Sequence, residues 1–452
     1  MAYTKFLHVF GTKQEHDTAR SYGEGGEYHE PWVAYVNDNS KLVTYNKGWS
    51  EKYLTFKALE SGTFKFSGNT INYSLDGGET WTELASNTST TVSAGETIMF
   101  KAALTPTDSV GIGEFSSTAR YEAMGNPYSL LYGDDFGGKI DLTGKNYALR
   151  GLFSGSTGLT SAEYLSLPAT SLSENCYGYM FKGCTSLTTA PELPATTLAN
   201  YCYQYMFNGC TSLTTAPVLP ATTLAANCYY YMFEGCTSLT TAPELPATTL
   251  ANYCYYYMFQ GCTSLTTAPV LPATTLAQSC YFAMFRGCTS LTKAPELPAT
   301  TLANYCYGTM FQGCTSLTTA PELPATMLAY SCYNDMFYRC TSLTAAPSVL
   351  PATTLANYCY QYMFYGCTSL TTAPVLPATT LSTVCYGDMF RGCTNLNYIK
   401  AMFTTTPSSA YTSNWVSGVA SIGTFVKNSA ATWNVKGSNG IPTRWTVETA
   451  SA

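Results

Sequence analysis

The sequence is poor in histidine and in charge. Three histidines occur in 452 residues, and none lies beyond His29. Ser-His-Asp and Cys-His arrangements are therefore excluded from most of the chain. Charged residues make up 11%, against about 25% in an ordinary globular protein. The net charge is −6 and no basic cluster occurs, which argues against nucleic acid, whose phosphates need a Lys/Arg footprint. No apolar run approaches the ~20 residues of a membrane-spanning helix, so no membrane insertion is expected. The apolar opening stretch is broken by His8 and ends at Gly11. It is too short for a secretory signal, and no route through a membrane is expected. A phosphate-cradling GxxxxGK[ST] loop is missing, and no acid pair stands out. The expectation is a protein that is not an enzyme and holds no cofactor and no metal.

What is present is unevenly spread. Residues 1–150 hold 31 of the 50 charged side chains, and all 18 cysteines fall between Cys176 and Cys393. A boundary near 145–150 follows. Beyond it the chain repeats: 202–227 and 228–253 are near-copies, with a period of 26. The first cysteine of each unit runs from Cys176 to Cys385. Every step is 26 except the 27 between Cys332 and Cys359, and a second cysteine follows eight residues later. A degenerate unit precedes these, with Ala148 and Ser156 in place of the two cysteines. A unit this short cannot bury its own apolar face, so neighbouring units must stack and the end units must differ. The reading is a solenoid of about ten turns over 148–403. Within one turn, Leu187–Pro194 is expected as a strand, Asn200–Phe207 as a short helical or 3₁₀ stretch, and Gly209 as the return turn.

The Met-Phe-x-Gly-Cys-Thr-Ser-Leu core, as at Met232–Leu239, resembles the BspA-like leucine-rich repeats of bacterial surface proteins. The resemblance covers about 148–403. The period here is longer, and a further cysteine sits five residues before the Phe. The cysteines admit disulfides, metal ligation or two ladders of buried free thiols. Metal is disfavoured by the C-x₇-C spacing and the lack of histidine. Thiol ladders are preferred, because Ala148 and Ser156 keep the small size and abandon the sulfur.

The fold class expected is mainly β: a β-sandwich-like domain at 51–147, the leucine-rich repeat solenoid, and a β-rich cap at 404–452 holding Trp415, Trp433 and Trp445. Residues 1–50 are read as an irregular attachment segment with a strand within Glu30–Val36. His8, His16 and His29 are too scattered for a metal site, and Asp134-Asp135 reads as a turn. Sandwich strands are expected at Tyr53–Leu59, Thr63–Phe66, Thr70–Ser74, Thr80–Leu84 and Thr97–Lys101. Ser74-Leu-Asp76-Gly-Gly78-Glu-Thr80-Trp81 resembles the Asp-box hairpin found in sialidases, where it is structural.

Comparing units shows which positions vary. The positions before the Met carry Gln204, Tyr205, Tyr230, Tyr231, Tyr256, Tyr257, Phe282, Gln361 and Tyr362. They read either as solvent positions that drift or as a variable binding face, since Tyr gives large contact area at low entropy cost. Together with Glu30-Pro-Trp-Val, Tyr53–Gly62 and the ending at Gly423–Asn428, the chain also resembles repeat proteins of phages and prophages of gut Bacteroides-type bacteria. That resemblance implies a virion structural protein, made in the host cytoplasm before lysis. Its N-terminal part would bind virion proteins or oligomerise, and its solenoid would meet host-surface or mucin glycans. The alternatives are a bacterial cell-surface adhesin and an intracellular protein-binding scaffold.

Overall fold

The computed structural model describes residues 9–10, 33–36, 42–45, 47–107 and 111–450. The three histidines and the polar segment Glu24–Glu30 lie outside them. A small sheet joins β1 (Val9–Phe10), β2 (Val33–Val36) and β3 (Leu42–Tyr45). β2 is the part of the Glu30–Val36 strand expectation that falls on described residues.

The sandwich follows. Its strands are β4 (Leu54–Ala58), β5 (Gly62–Phe66), β6 (Ile71–Ser74), β7 (Thr82–Leu84), β8 (Ser89–Val92), β9 (Thr97–Lys101), β10 (Phe115–Ser117) and β11 (Tyr121–Gly125). The five expected strands are present, and β8, β10 and β11 are additional. One layer is β10-β5-β8. The other is β11-β4-β9-β6-β7, extended by β12 (Leu159–Leu165) from the first repeat, which pairs in parallel with β11. Alternation along β4 and β9 turns Leu54, Phe56, Ile98 and Phe100 into the interior. The Asp-box hairpin joins β6 to β7. Ser74 Oγ donates to Asp76 Oδ1 at 2.6 Å and the Thr80 N–H donates to the same carboxylate at 2.9 Å. Those bonds hold the Asp76 carboxyl well below the usual range. Asp134 accepts from Tyr53 Oη and Lys101 Nζ at 2.7 and 2.8 Å, which fixes its turn to the sandwich.

Beyond β12 the units stack, but each is built mainly from turns. The expected strand at Leu187–Pro194 shrinks to one bridging residue, Thr189, which pairs with Ser161 before it and Thr215 after it. Pro191 and Pro194 carry no N–H, so the ladder cannot lengthen there. The helical expectation at Asn200–Phe207 is also corrected. Tyr201, Tyr205 and Gly209 have φ of +60, +54 and +73°. A left-handed residue every four positions is incompatible with a right-handed helix.

That backbone has a simple hydrogen-bond logic. The N–H groups of Gln204, Met206 and Asn208 bond to the carbonyls of Tyr201, Tyr203 and Tyr205 within the same unit. Those of Tyr203, Tyr205, Phe207 and Gly209 cross to Cys228, Tyr230, Met232 and Glu234 of the next unit at 2.8–3.0 Å. Residues alternate between the two roles, so the turn wall leaves no buried polar backbone unsatisfied. The pattern starts at Tyr147 bonding Glu174 and continues to Gly392 bonding Ser417.

The interior is a set of ladders. Phe153, Phe181, Phe207 and their successors to Phe390 stack at 5.3–5.7 Å with nearly parallel planes. The Tyr ladder from Tyr177 to Tyr386 stacks at 5.7–5.9 Å. Both ladders are capped by aromatic or polar contacts at each end. Phe153 meets Phe56 and Phe115 of the sandwich, Tyr177 bonds Tyr128, and Phe390 and Tyr386 meet Trp415. One continuous core runs from Leu54 to Trp445. The C-terminal segment carries the stack onward. β13 (Tyr398–Ala401), β14 (Thr424–Lys427) and β15 (Thr446–Thr449) form a parallel sheet in which Tyr398 pairs Thr424 and Thr424 pairs Thr446. The indoles of Trp415, Trp433 and Trp445 are buried and donate to the carbonyls of Gly440, Phe403 and Ala420.

All eighteen cysteines are buried and unpaired. Each thiol of the second ladder donates to the Phe carbonyl of the preceding unit, for example Cys236 to Phe207 at 3.1 Å. Ser156, in the equivalent place of the first unit, instead bonds Tyr121 Oη at 2.8 Å. Burial pushes the thiols of Cys184, Cys202, Cys254 and Cys314 up to about 12. The core tyrosines Tyr203 and Tyr229 are likewise raised by burial.

Two outcomes follow. A dithionitrobenzoate titration without reductant finds no reactive thiol in the native protein and all 18 cysteines after denaturation; any disulfide lowers the second count. Because folded-state values lie above unfolded ones, burial of these groups contributes stability below pH about 8.5, lost as pH rises toward 12. Urea midpoints measured across pH 6–12 should stay flat and then fall above pH about 9.

Candidate functional site

The turn wall sets the outer surface as well as the core. From Tyr179 to Tyr257 the middle left-handed position of each unit projects a side chain outward, and these form a column along the stack. Tyr179, Tyr205, Tyr231 and Tyr257 stack in register at 4.8, 4.9 and 4.7 Å. The preceding position gives a second column, Tyr230, Tyr256 and Phe282, stacked at 5.0 Å. The columns touch edge-on, with Tyr230 against Tyr231 and Tyr256 against Tyr257 at 4.5 Å. Arg150 lies over the free face of Tyr179 at 4.5 Å, and Lys182 lies over Tyr179 and Tyr205.

The fold thus unites six of the nine positions singled out in the sequence: Tyr205, Tyr230, Tyr231, Tyr256, Tyr257 and Phe282, all half-buried. Gln204 is buried beside them instead of joining the surface. Gln361 and Tyr362 lie farther along the stack, past Ala283, Thr309 and Asp335. There Gln361 accepts from Asn334 Nδ2 at 3.4 Å and Tyr362 meets Tyr365 edge-on at 6.0 Å. Within the columns the ring faces cover one another, so the rings offer outer edges to a ligand and not broad stacking platforms. Burial and neighbouring phenols raise Tyr205 and Tyr231.

A third column follows the Phe: Lys182, Asn208, Glu234, Gln260, Arg286, Gln312 and Tyr338. Asn208 Nδ2 donates to Glu234 Oε2 at 2.7 Å, and burial raises the Glu234 carboxyl. Among the described residues no group of three His, Cys, Asp or Glu side chains converges as a metal site would require, and no helix is long and apolar enough to cross a membrane.

The BspA type Leucine rich repeat region matches this chain in 6 copies, over 155–292, 203–344 and 279–415. The chain is a BspA-type leucine-rich repeat protein. Among solved structures it is similar to a leucine-rich repeat protein from Bacteroides ovatus, with 17% identity, 67% of this chain and 87% of that chain covered, and a TM-score of 0.28. No curated protein matches it.

The BspA-type motif now has a physical reading. In Met206-Phe207-x-Gly209-Cys210-x-x-Leu213, the Met, Phe, Cys and Leu are fully buried rungs, and the Gly takes a left-handed backbone at the corner. Sequence reasoning missed the other two left-handed positions. The signal was available: Asn175 and Asn227, a residue type that tolerates positive φ, recur eight residues before a corner Gly. It was masked because five units place Tyr there.

Tyr231→Ala removes stacking and edge contacts with four rings at once, and should cost about 2 kcal/mol, whereas Tyr231→Phe should cost under about 0.5 kcal/mol. Urea unfolding of both variants checks this.

Proposed function

We propose that this BspA-type repeat protein is a non-enzymatic adhesion scaffold that binds host-surface or mucin glycans along the varied outer columns. The observation supporting this reading is where variation is allowed. Rungs such as Tyr203, Met206, Phe207 and Cys210 recur with little change, while the three adjacent outer columns differ from unit to unit in Tyr, Gln, Asn, Glu and Arg. A rigid stack that holds varied amphipathic side chains in register suits an extended, nearly uncharged partner, and a polysaccharide is one. Solenoids commonly bind along such a face. Weak contacts at several units add through multivalency.

The finer reading places the protein on a phage particle, with the N-terminal part attached to other virion proteins or to copies of itself and the stack projecting outward. It rests on the sequence resemblance to phage and prophage repeat proteins. Peptide mass spectrometry of gradient-purified particles from an induced lysogen should find the chain at stoichiometric level; its absence from particles, with the chain on the bacterial envelope, would favour the cell-surface adhesin.

The adhesion reading is tested with fluorescently labelled full-length protein on intact gut bacterial cells, with and without enzymatic removal of surface polysaccharide. Binding should require the polysaccharide and should fall several-fold in a Tyr230→Ala/Tyr256→Ala variant. Equal binding to stripped cells would refute a glycan ligand.

A further inference from the structure

The aromatic columns are interrupted over three consecutive units. The column of Tyr179, Tyr205, Tyr231 and Tyr257 continues as Ala283, Thr309 and Asp335 before Tyr362 resumes it. The column of Tyr230, Tyr256 and Phe282 continues as Gly308 and Asn334. Phe282 leans over Gly308 so closely that a Cβ there would lie 2.8 Å from its ring. Ala283 and Gly308 are buried and form a floor, whereas Thr309 and Asp335 remain partly exposed. Phe282 stands at one end. At the other stands Tyr338, with Tyr365 stacked on one face at 4.6 Å and Gln312 in register on the other side.

Polar groups in the interruption and in the unit just before it lack partners. Thr309 Oγ1 and Gln260 Oε1 are buried and make no hydrogen bond. The carboxylate of Asp335 forms no hydrogen bond or ion pair among the described residues, although the Arg286 guanidinium is near enough to lower its pKa against the larger effect of burial. The same register is handled differently two units on, where Asp388 and Arg391 bond each other at 3.1 Å. Buried polar groups in native proteins are normally satisfied, and a half-satisfied network is costly. The stack shows that it can close such a pair internally, and at this place it does not.

We propose that the interruption centred on Thr309 and Asp335 is a discrete subsite for an uncharged sugar, with Asp335, Arg286, Thr309 and Gln260 bonding its hydroxyls between Phe282 and Tyr338. This rests on the adhesion reading above and locates its strongest contact. One carboxylate and one guanidinium together carry no net charge, which favours a neutral polyhydroxyl ligand over phosphate or an acidic sugar. A carboxylate accepts from two adjacent hydroxyls and a guanidinium donates to two adjacent oxygens, so the pair suits vicinal diols. Three units at about 4.8 Å span roughly 14 Å, the scale of a short oligosaccharide. A Thr hydroxyl and an amide oxygen held rigidly by the turn wall then select among hydroxyl arrangements.

The test uses the full chain and neutral O-glycans released from gastric mucin, with affinity read by titration calorimetry. Asp335→Asn, which keeps side-chain size, and Arg286→Gln, which removes the guanidinium, should each weaken binding by about tenfold, the worth of one charge-assisted hydrogen bond. Thr309→Tyr, which places in the gap the residue that five other units carry at this register, should abolish it. Near-UV circular dichroism of each variant should match the parent. If the three cluster variants bind like the parent while polysaccharide-dependent cell binding persists, this subsite is wrong and the adhesion reading stands. If the parent binds neither mucin glycans nor cells, both are wrong.

Discussion

The structure depends on the alternation of backbone hydrogen bonds in the turn wall. A chain with a left-handed residue at every fourth position bonds half of its N–H groups to itself and points the rest at the next turn. Such a segment is unsatisfied alone. It becomes stable when a neighbour on each side accepts and donates in register, so the units are inseparable in a way that helical repeats are not. Holding non-glycine residues at positive φ costs of order 1 kcal/mol or more each. Ring stacking and complete backbone pairing offset that cost in every unit.

That requirement explains the ends. A stack of this kind terminates in rows of unpaired carbonyls on one side and N–H groups on the other. At the beginning, the sandwich covers the first unit: Phe115 N–H bonds the Leu152 carbonyl, β12 joins the sandwich sheet, and the Phe ladder runs into the sandwich core. At the finish, Trp415 continues both aromatic ladders, and three parallel strands carry the register past the last cysteine. Sandwich, stack and terminal segment therefore share one core.

Much of this was legible in the sequence, because ladder residues repeat identically. The period, the degenerate first unit, the free thiols and the Asp-box hairpin all follow from spacing and residue type. Two local expectations failed for physical reasons. Prolines at 191 and 194 suit an extended segment but remove the donors that would make it a strand. Tyrosines at 201 and 205 conceal left-handed backbone, because the stack holds a conformation that Tyr alone does not favour. Of the variable positions, comparison of units singled out Tyr205 through Phe282 but did not show that they stack in columns. It missed the burial of Gln204, and it gave no hint that Arg286, two turns away from Asp335, would act on its carboxyl. Contacts between units depend on which short side chains leave a gap, and a single unit does not contain that information.

The most direct measurement of this account is hydrogen–deuterium exchange by mass spectrometry on the full chain, resolving peptides of the turn wall such as 199–210 and 225–236. Inter-turn bonding predicts protection equal to that of β4 and β9 in the sandwich, uniform along the middle units. Exchange within seconds, as in unconstrained turns, would contradict it and would remove the rigid register on which the outer columns rest.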